Sequence, residues 1–272
     1  MSRAWRGVAW ATVLVVLVVA LTPYLWILLT SFKGRLDALA AVPVWIFEPT
    51  LQHYPDVFLD KGYLPLVGNS VLVAVSTTLL SLLVGVPAAY VFARHEFAAK
   101  EDLFFFFLTT RMAPPISVVV PMFLLFTMIG ITDTPLAVIL AHTTFNLSLV
   151  VWVMRGFFAE IPKEIDEAGM MDGLTRAGTF VRLLIPLAAP GLAATAILCF
   201  ILSWNEFLYA FVLVAFEGRT LTVGIPGLVT PHGTLWGQVA AVAVVATLPI
   251  IVFTFLVQRH LVRGLTFGAI KG

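Results

Sequence analysis

Charge is scarce in this sequence. The 272 residues include 16 Lys and Arg against 15 Asp and Glu, 11% of the chain. A soluble domain carries about 25% charged residues to cover its surface, so a water-soluble globular fold is excluded. Cysteine is nearly absent: Cys199 stands alone, which rules out an internal disulfide and any metal site built on thiolates. It suits a small apolar position in a helix. With a net charge of +1, no nucleic-acid or acidic partner is implied. No G-x-x-x-x-G-K-[ST] phosphate loop occurs, so the chain offers no nucleotide cradle of that kind. No Ser/His/Asp constellation has a water-accessible setting, which argues against catalysis.

What remains is oil. The chain is 60% hydrophobic, with a mean hydropathy of +1.02. Its apolar runs are too long for the alternating strands of a barrel, and they predict an all-α integral membrane protein in one domain, 1–272. A span needs roughly 20 apolar residues. Six segments qualify: 8–32, 67–92, 103–129, 135–155, 189–214 and 237–258. The first follows Arg3 and Arg6 like a signal peptide, and Ala38-Leu39-Ala40 resembles a cleavage string. Its apolar stretch exceeds the roughly 7–15 residues of a signal, and it ends in Tyr24 and Trp26, which suit a membrane interface. A retained helix is expected.

An even number of spans puts both termini on one side. If that side is cytoplasmic, eleven Lys and Arg lie inside and four outside (Lys33, Arg35, Lys61, Arg219), with Arg111 within the third span. The positive-inside bias therefore predicts cytoplasmic termini. The outer connection 33–66 holds "VPVWIFEPTLQHYPDVF", which suits either an amphipathic piece at the interface or a loop without a partner. The outer segment 215–236 reads as an irregular cap.

Residues 156–188 then face the cytoplasm, far longer than a bundle connection of about 2–8 residues. Pro162 at a first turn, followed by Glu164, Asp166 and Glu167, predicts a helix over 162–172 stopped at Gly173. Thr175 can cap a second helix whose apolar stripe is Ala177, Phe180, Val181 and Leu184, with Pro186 ending it. Ala168 and Gly169 are small residues that would let another surface approach an exposed helix, and Met170 and Met171 add adaptable apolar contact. Docking in a partner's groove is one reading. A surface loop that merely connects two spans is the other.

The string "EAGMMDG" followed by "LLIPLAAPGL" resembles the EAA loop of ABC-importer permeases. Glu167, Ala168, Gly169, Asp172 and Gly173 match, with Pro186 downstream and Gly169 in place of the usual Ala. "PYLWILLTSFK", "NSVLVAVSTT", "SWNEFLYA" and the tail "LVRGLTFGAIKG" are similar to the MalG-type carbohydrate subfamily, so the resemblance covers nearly the whole chain. It implies six transmembrane helices with a cytoplasmic coupling helix-turn-helix. Glu164, Glu167, Ala168, Gly169, Met170, Met171, Asp172 and Gly173 would dock on an ATPase. The tail 259–272, with Arg263, Gly264, Thr266 and Lys271, would reach the same partner. It further implies a bacterial inner-membrane importer of a sugar or related polyhydroxy solute. The expected partners are a second homologous permease, two cytoplasmic ATPase copies that bind ATP and Mg, an extracytoplasmic solute-binding protein and membrane lipid. No cofactor is expected in this chain.

Polar groups at membrane depth face a bundle interior or a cavity. At helical spacing, Ser203, Glu206 and Tyr209 share a face with Asn205 beside it. They either bind solute, with Trp204 or Tyr209 stacking on a sugar, or fix helix packing. Pro114, Pro115 and Pro121 bend the third span, which either lines the solute path or serves packing. Arg111 beside them is expected to pair with Glu206 or with the broken helix ends. His142, Thr143, Thr144 and Asn146 form a polar cluster in the fourth span, and His142 reads as a packed residue rather than a metal ligand. Two other classes stay open: an ion-driven secondary transporter relaying protons through Glu206 and His142, and a membrane scaffold without transport.

Overall fold

The structure, a computed structural model, describes residues 3–231 and 233–267, with only the backbone given from residue 256 onward. Ten helices are numbered here: α1 (Arg3–Ser31), α2 (Leu64–Arg94), α3 (Lys100–Met112), α4 (Pro115–Met128), α5 (Pro135–Glu160), α6 (Glu164–Met171), α7 (Arg176–Leu187), α8 (Ala189–Asn205), α9 (Leu208–Leu213) and α10 (Trp236–Phe267). A two-residue hairpin, Val229–Thr230 against Gly233–Thr234, is the β-structure among the described residues.

Among the described residues, four helices are long and apolar enough to cross a membrane: α1, α2, α5 and α10. Two bent pairs supply the rest, α3 with α4 at 97° and α7 with α8 at 78°, and counting each pair as one crossing gives six. The bend expected in the third span over 103–129 is there, as a full break between α3 and α4. Pro114 and Pro115 lack N–H groups and force the preceding residues out of the helical region. Ala113 and Pro114 are accordingly extended, with ψ of 130° and 127°, and Pro115 restarts the helix at its first turn. Pro121 stays inside α4. The fifth span over 189–214 is corrected, because α8 ends at Asn205 and α9 starts at Leu208.

Packing divides the chain into two compact units where the sequence shows no boundary: Met1–Pro65 with Gly224–Pro249, and Leu66–Val223 with Ile250–Gly272. In the first unit, the most apolar window of α1 buries none of its residues within the chain. The connection over 33–66 is tied down by hydrogen bonds rather than free. Thr50 N–H donates to the Phe32 carbonyl at 2.8 Å, His53 Nε2 donates to the Lys33 carbonyl at 2.7 Å, and Tyr63 donates its hydroxyl to the Gly224 carbonyl at 2.6 Å. Lys33 is buried with its ammonium 3.8 Å from the centre of the Trp26 ring, a cation–π contact that substitutes for water.

In the second unit, α5 lies at the centre, packed by α3, α8 and α9. The helices approach closely where side chains are small. A Cβ added at Gly191 on α8 would stand 2.5 Å from the Phe157 ring of α5. Cys199 is buried on α8, as a small apolar residue would be.

Candidate functional site

Two constellations emerge in the second unit. The first is the elbow between α5 and α8. Helix α6 begins at Glu164, two residues beyond the expected start, with Glu164, Asp166 and Glu167 in its first turn, where the helix dipole favours acid. Its end is a Schellman motif. Leu174 N–H donates to the Gly169 carbonyl at 3.0 Å and Gly173 N–H to the Met170 carbonyl at 3.1 Å, while Gly173 takes φ +82°, which a side chain would resist. Thr175 caps α7 by accepting the Gly178 N–H at 3.1 Å.

Helix α7 keeps half of the predicted stripe, with Leu184 buried and Phe180 packed against the same cluster. It widens into a π turn over Phe180–Leu184, with Ile185 N–H donating to the Phe180 carbonyl. Such a turn accommodates the missing N–H of Pro186 one residue later, so the helix runs on to Leu187 instead of ending at Pro186. Ala177 and Val181 are exposed, and Thr179 and Leu184 are the buried residues.

Gly169 is likewise corrected: it faces the elbow's interior rather than an exposed surface. A Cβ there would meet Leu183 Cδ1 and Thr179 Oγ1, each at 2.8 Å. It seats α7 against α6. The outward face of α6 consists of Glu164, Glu167, Ala168 and Met171, at helical spacing. Met171 is 88% exposed, and Met170 lies partly outward beside it. Asp172 and Gly173 are exposed at the end. The tail residues Arg263, Gly264, Thr266 and Lys271 lie outside the residues whose side chains are described.

The second constellation is a buried polar seam. Ser203, Glu206 and Tyr209 do not share a helix face, because the chain turns extended at Glu206, with ψ of 135°. The Glu206 carboxylate folds forward and accepts N–H groups of Tyr209 at 3.0 Å and Ala210 at 3.4 Å. It thereby satisfies donors at the start of α9. His142 Nε2 approaches the same carboxylate at 3.0 Å. One turn along α5, Asn146 Nδ2 donates to Ser203 Oγ at 2.8 Å. Thr222 donates to the Glu206 carbonyl at 2.8 Å, a contribution the sequence reading missed because it comes from a distant loop.

Tyr209 packs against Phe145, with ring centres 5.8 Å apart, and Trp204 stacks on Phe200 at 5.7 Å. Both rings are buried within the chain. Arg111 is exposed at the end of α3 and does not reach Glu206; His142 takes that place. Pro115 is exposed at the start of α4, and Asn205 is exposed with its amide turned to the Ile201 carbonyl at 2.9 Å.

Residues 81–267, which hold both constellations, match the binding-protein-dependent transport system inner membrane component family. The chain belongs to this family. It is 38% identical to the trehalose transport system permease protein SugB of Mycobacterium tuberculosis, covering 99% of each chain. It is 33% identical to the trehalose/maltose transport system permease protein MalG of Thermococcus litoralis, over 94% of this chain and 93% of that one. Among solved structures, a chain of a bacterial ABC transporter involved in import of the acidic polysaccharide alginate superposes with a TM-score of 0.77, at 25% identity over 95% of this chain and 98% of that chain. These relatives give no support to ion-gradient drive through Glu206 and His142.

Proposed function

We propose that this chain is a transmembrane subunit of an ATP-driven importer that moves a sugar or related polyhydroxy solute into a bacterial cytoplasm. Support comes from relatives matched end to end that are trehalose and maltose permeases. The observation that carries the mechanism is the outward face of α6, where Glu164, Glu167, Ala168 and Met171 stand free on a helix braced from behind by Gly169. Such a face fits a groove on a partner.

Residues 1–272 act as one permease domain with both termini cytoplasmic, so the elbow faces the nucleotide-hydrolysing subunit. Two copies of that ATPase bind ATP and Mg, while this chain holds no cofactor. A second homologous permease completes the membrane core, and an extracytoplasmic binding protein delivers solute. Closure of the ATPase pair pushes α6, and the push reaches the spans through α5 and α8. Tail residues Arg263, Gly264, Thr266 and Lys271 add a second contact to the ATPase. Arg111, Pro115, Asn146, Ser203, Asn205, Glu206 and Tyr209 border the solute path, with the His142–Glu206 seam holding its walls in register.

The test is purification of a tagged chain in mild detergent, identification of its companions by mass, and solute uptake by the complex in vesicles. An ATPase, a second permease and a binding protein, with uptake that requires ATP, are expected. A chain that purifies alone and moves solute without ATP overturns the reading.

A further inference from the structure

The last turn of α2 holds the elbow from the side opposite its free face. Arg94, the final residue of α2, has a side chain only 6% exposed, and its Nε lies 3.0 Å from Oδ2 of Asp166 on α6. The approach is a contact of charges rather than a well-aligned hydrogen bond. The same guanidinium donates from Nη2 to the Ile161 carbonyl at 2.7 Å, just past the end of α5. One turn earlier on α2, Tyr90 donates its hydroxyl to Oδ1 of Asp166 at 3.3 Å. The Tyr90 ring lies 4.8 Å from that of Phe180 on α7. One turn and a half of α2 therefore touches the end of α5, the first turn of α6 and the π turn of α7.

Asp166 is thereby withdrawn from any partner. Its side chain is 15% exposed, whereas its neighbour Glu167 is exposed. The chemistry of the contact matters. Apolar packing is non-directional and tolerates rotation of one helix over another. Here the charge contact of Arg94 with Asp166 sets distance, and the directed bonds of Arg94 Nη2 to the Ile161 carbonyl and of Tyr90 to Asp166 Oδ1 set angle. Apolar residues alone already seat α6, since Ile165 and Phe180 join the cluster around Phe158 and Leu184.

We infer that Arg94 and Asp166 are positioning residues that lock the orientation of α6 to α2, so that displacement of the elbow is carried into this span rather than lost as rotation of α6. This rests on the importer reading above. It assigns α2 as a route for force beside the covalent connections of the elbow to α5 and α8.

The experiment uses the complete complex in vesicles, with ATP hydrolysis and solute uptake measured on the same preparation. Arg94→Met keeps the buried stem and removes the guanidinium. Asp166→Asn keeps the shape and an acceptor for Tyr90 and removes the charge. Each is expected to assemble and hydrolyse ATP while uptake per ATP falls roughly tenfold, as the charge contact that orients α6 is lost. The double variant should be no worse than the worse single, because both break one contact. Arg94→Lys, which can serve one anchor but not both, should fall between. Tyr90→Phe, which preserves the ring stack, should lower the ratio about twofold and keeps the test open if a charge variant fails to assemble. A purely structural role would lower hydrolysis and uptake together and leave the ratio unchanged. An unchanged ratio in assembled Arg94→Met or Asp166→Asn, or effects that multiply in the double variant, overturns the inference. Wild-type complex without ATP-dependent uptake would instead mean that the importer reading itself is wrong.

Discussion

His142 Nε2 donates to Glu206 Oε2 across 3.0 Å, tying the middle of α5 to the residue where the chain breaks between α8 and α9. A carboxylate offers only acceptors, so Nε2 carries the proton. The same Glu206 carboxylate holds the first N–H groups of α9. One side chain therefore joins two helices and starts a third.

Removing that carboxylate should loosen all three. Glu206→Ala leaves a buried imidazole N–H and helix donors without their acceptor, a loss on the order of 1–3 kcal/mol. Glu206→Gln keeps an acceptor and should cost clearly less. Thermal unfolding in detergent reads both, and an alanine variant that melts with the wild type would refute the seam's structural role.

Gly169 and Thr179 form a second testable pair. Gly-to-Ala in a helix ordinarily returns about 1 kcal/mol. Here the new methyl would meet Thr179, so Gly169→Ala alone should return none of it. Adding Thr179→Ala opens the space and removes a buried hydroxyl without a hydrogen-bond partner. The double variant should then exceed the sum of the singles by roughly 1 kcal/mol in a double-mutant cycle. Simple additivity would place Gly169 outside the α6–α7 contact.

Met171 tests the free face. It is 88% exposed, so Met171→Asp should change stability by no more than about 0.5 kcal/mol. If the face docks on an ATPase, the charge should abolish co-purification of that subunit. Retention of the ATPase at wild-type stoichiometry would move the docking surface elsewhere.

Asp133 gives a pH dependence. It adopts a left-handed conformation at φ +60°, and its Oδ1 accepts the N–H groups of Ala215, Phe216 and Glu217 at 2.9, 2.7 and 3.2 Å. Those bonds, that of Phe216 foremost, hold the carboxyl below its usual range. A depressed folded pKa gives stabilisation that is present above the unfolded value, near 4, and is lost as pH falls through the folded one. Hydrogen exchange at residues 215–217 should be protected at neutral pH and should lose protection below about pH 4. Asp133→Ala should accelerate it roughly tenfold at pH 7. Exchange indifferent to both would show that the loop is held by other bonds, such as those of Asn69 to the Glu217 and Arg219 carbonyls.

Composition and local pattern alone determined that the chain is an α-helical membrane protein, where its long apolar helices lie, and that a capped helix-turn-helix interrupts them. Those features depend on neighbours within a few residues: hydropathy over a window, proline before a break, glycine at a left-handed stop, threonine at a cap. The elbow motif was legible for the same reason. Only tertiary structure decided which way the residues face. Gly169 turns inward because Thr179 and Leu183 wait there, and Thr179 rather than Ala177 fills the inner side of α7. Glu206 meets His142 rather than Arg111, and Arg94 meets Asp166 across 72 positions. Such pairings depend on how helices cross, and a crossing is set by packing between segments far apart in the chain, which no local periodicity encodes.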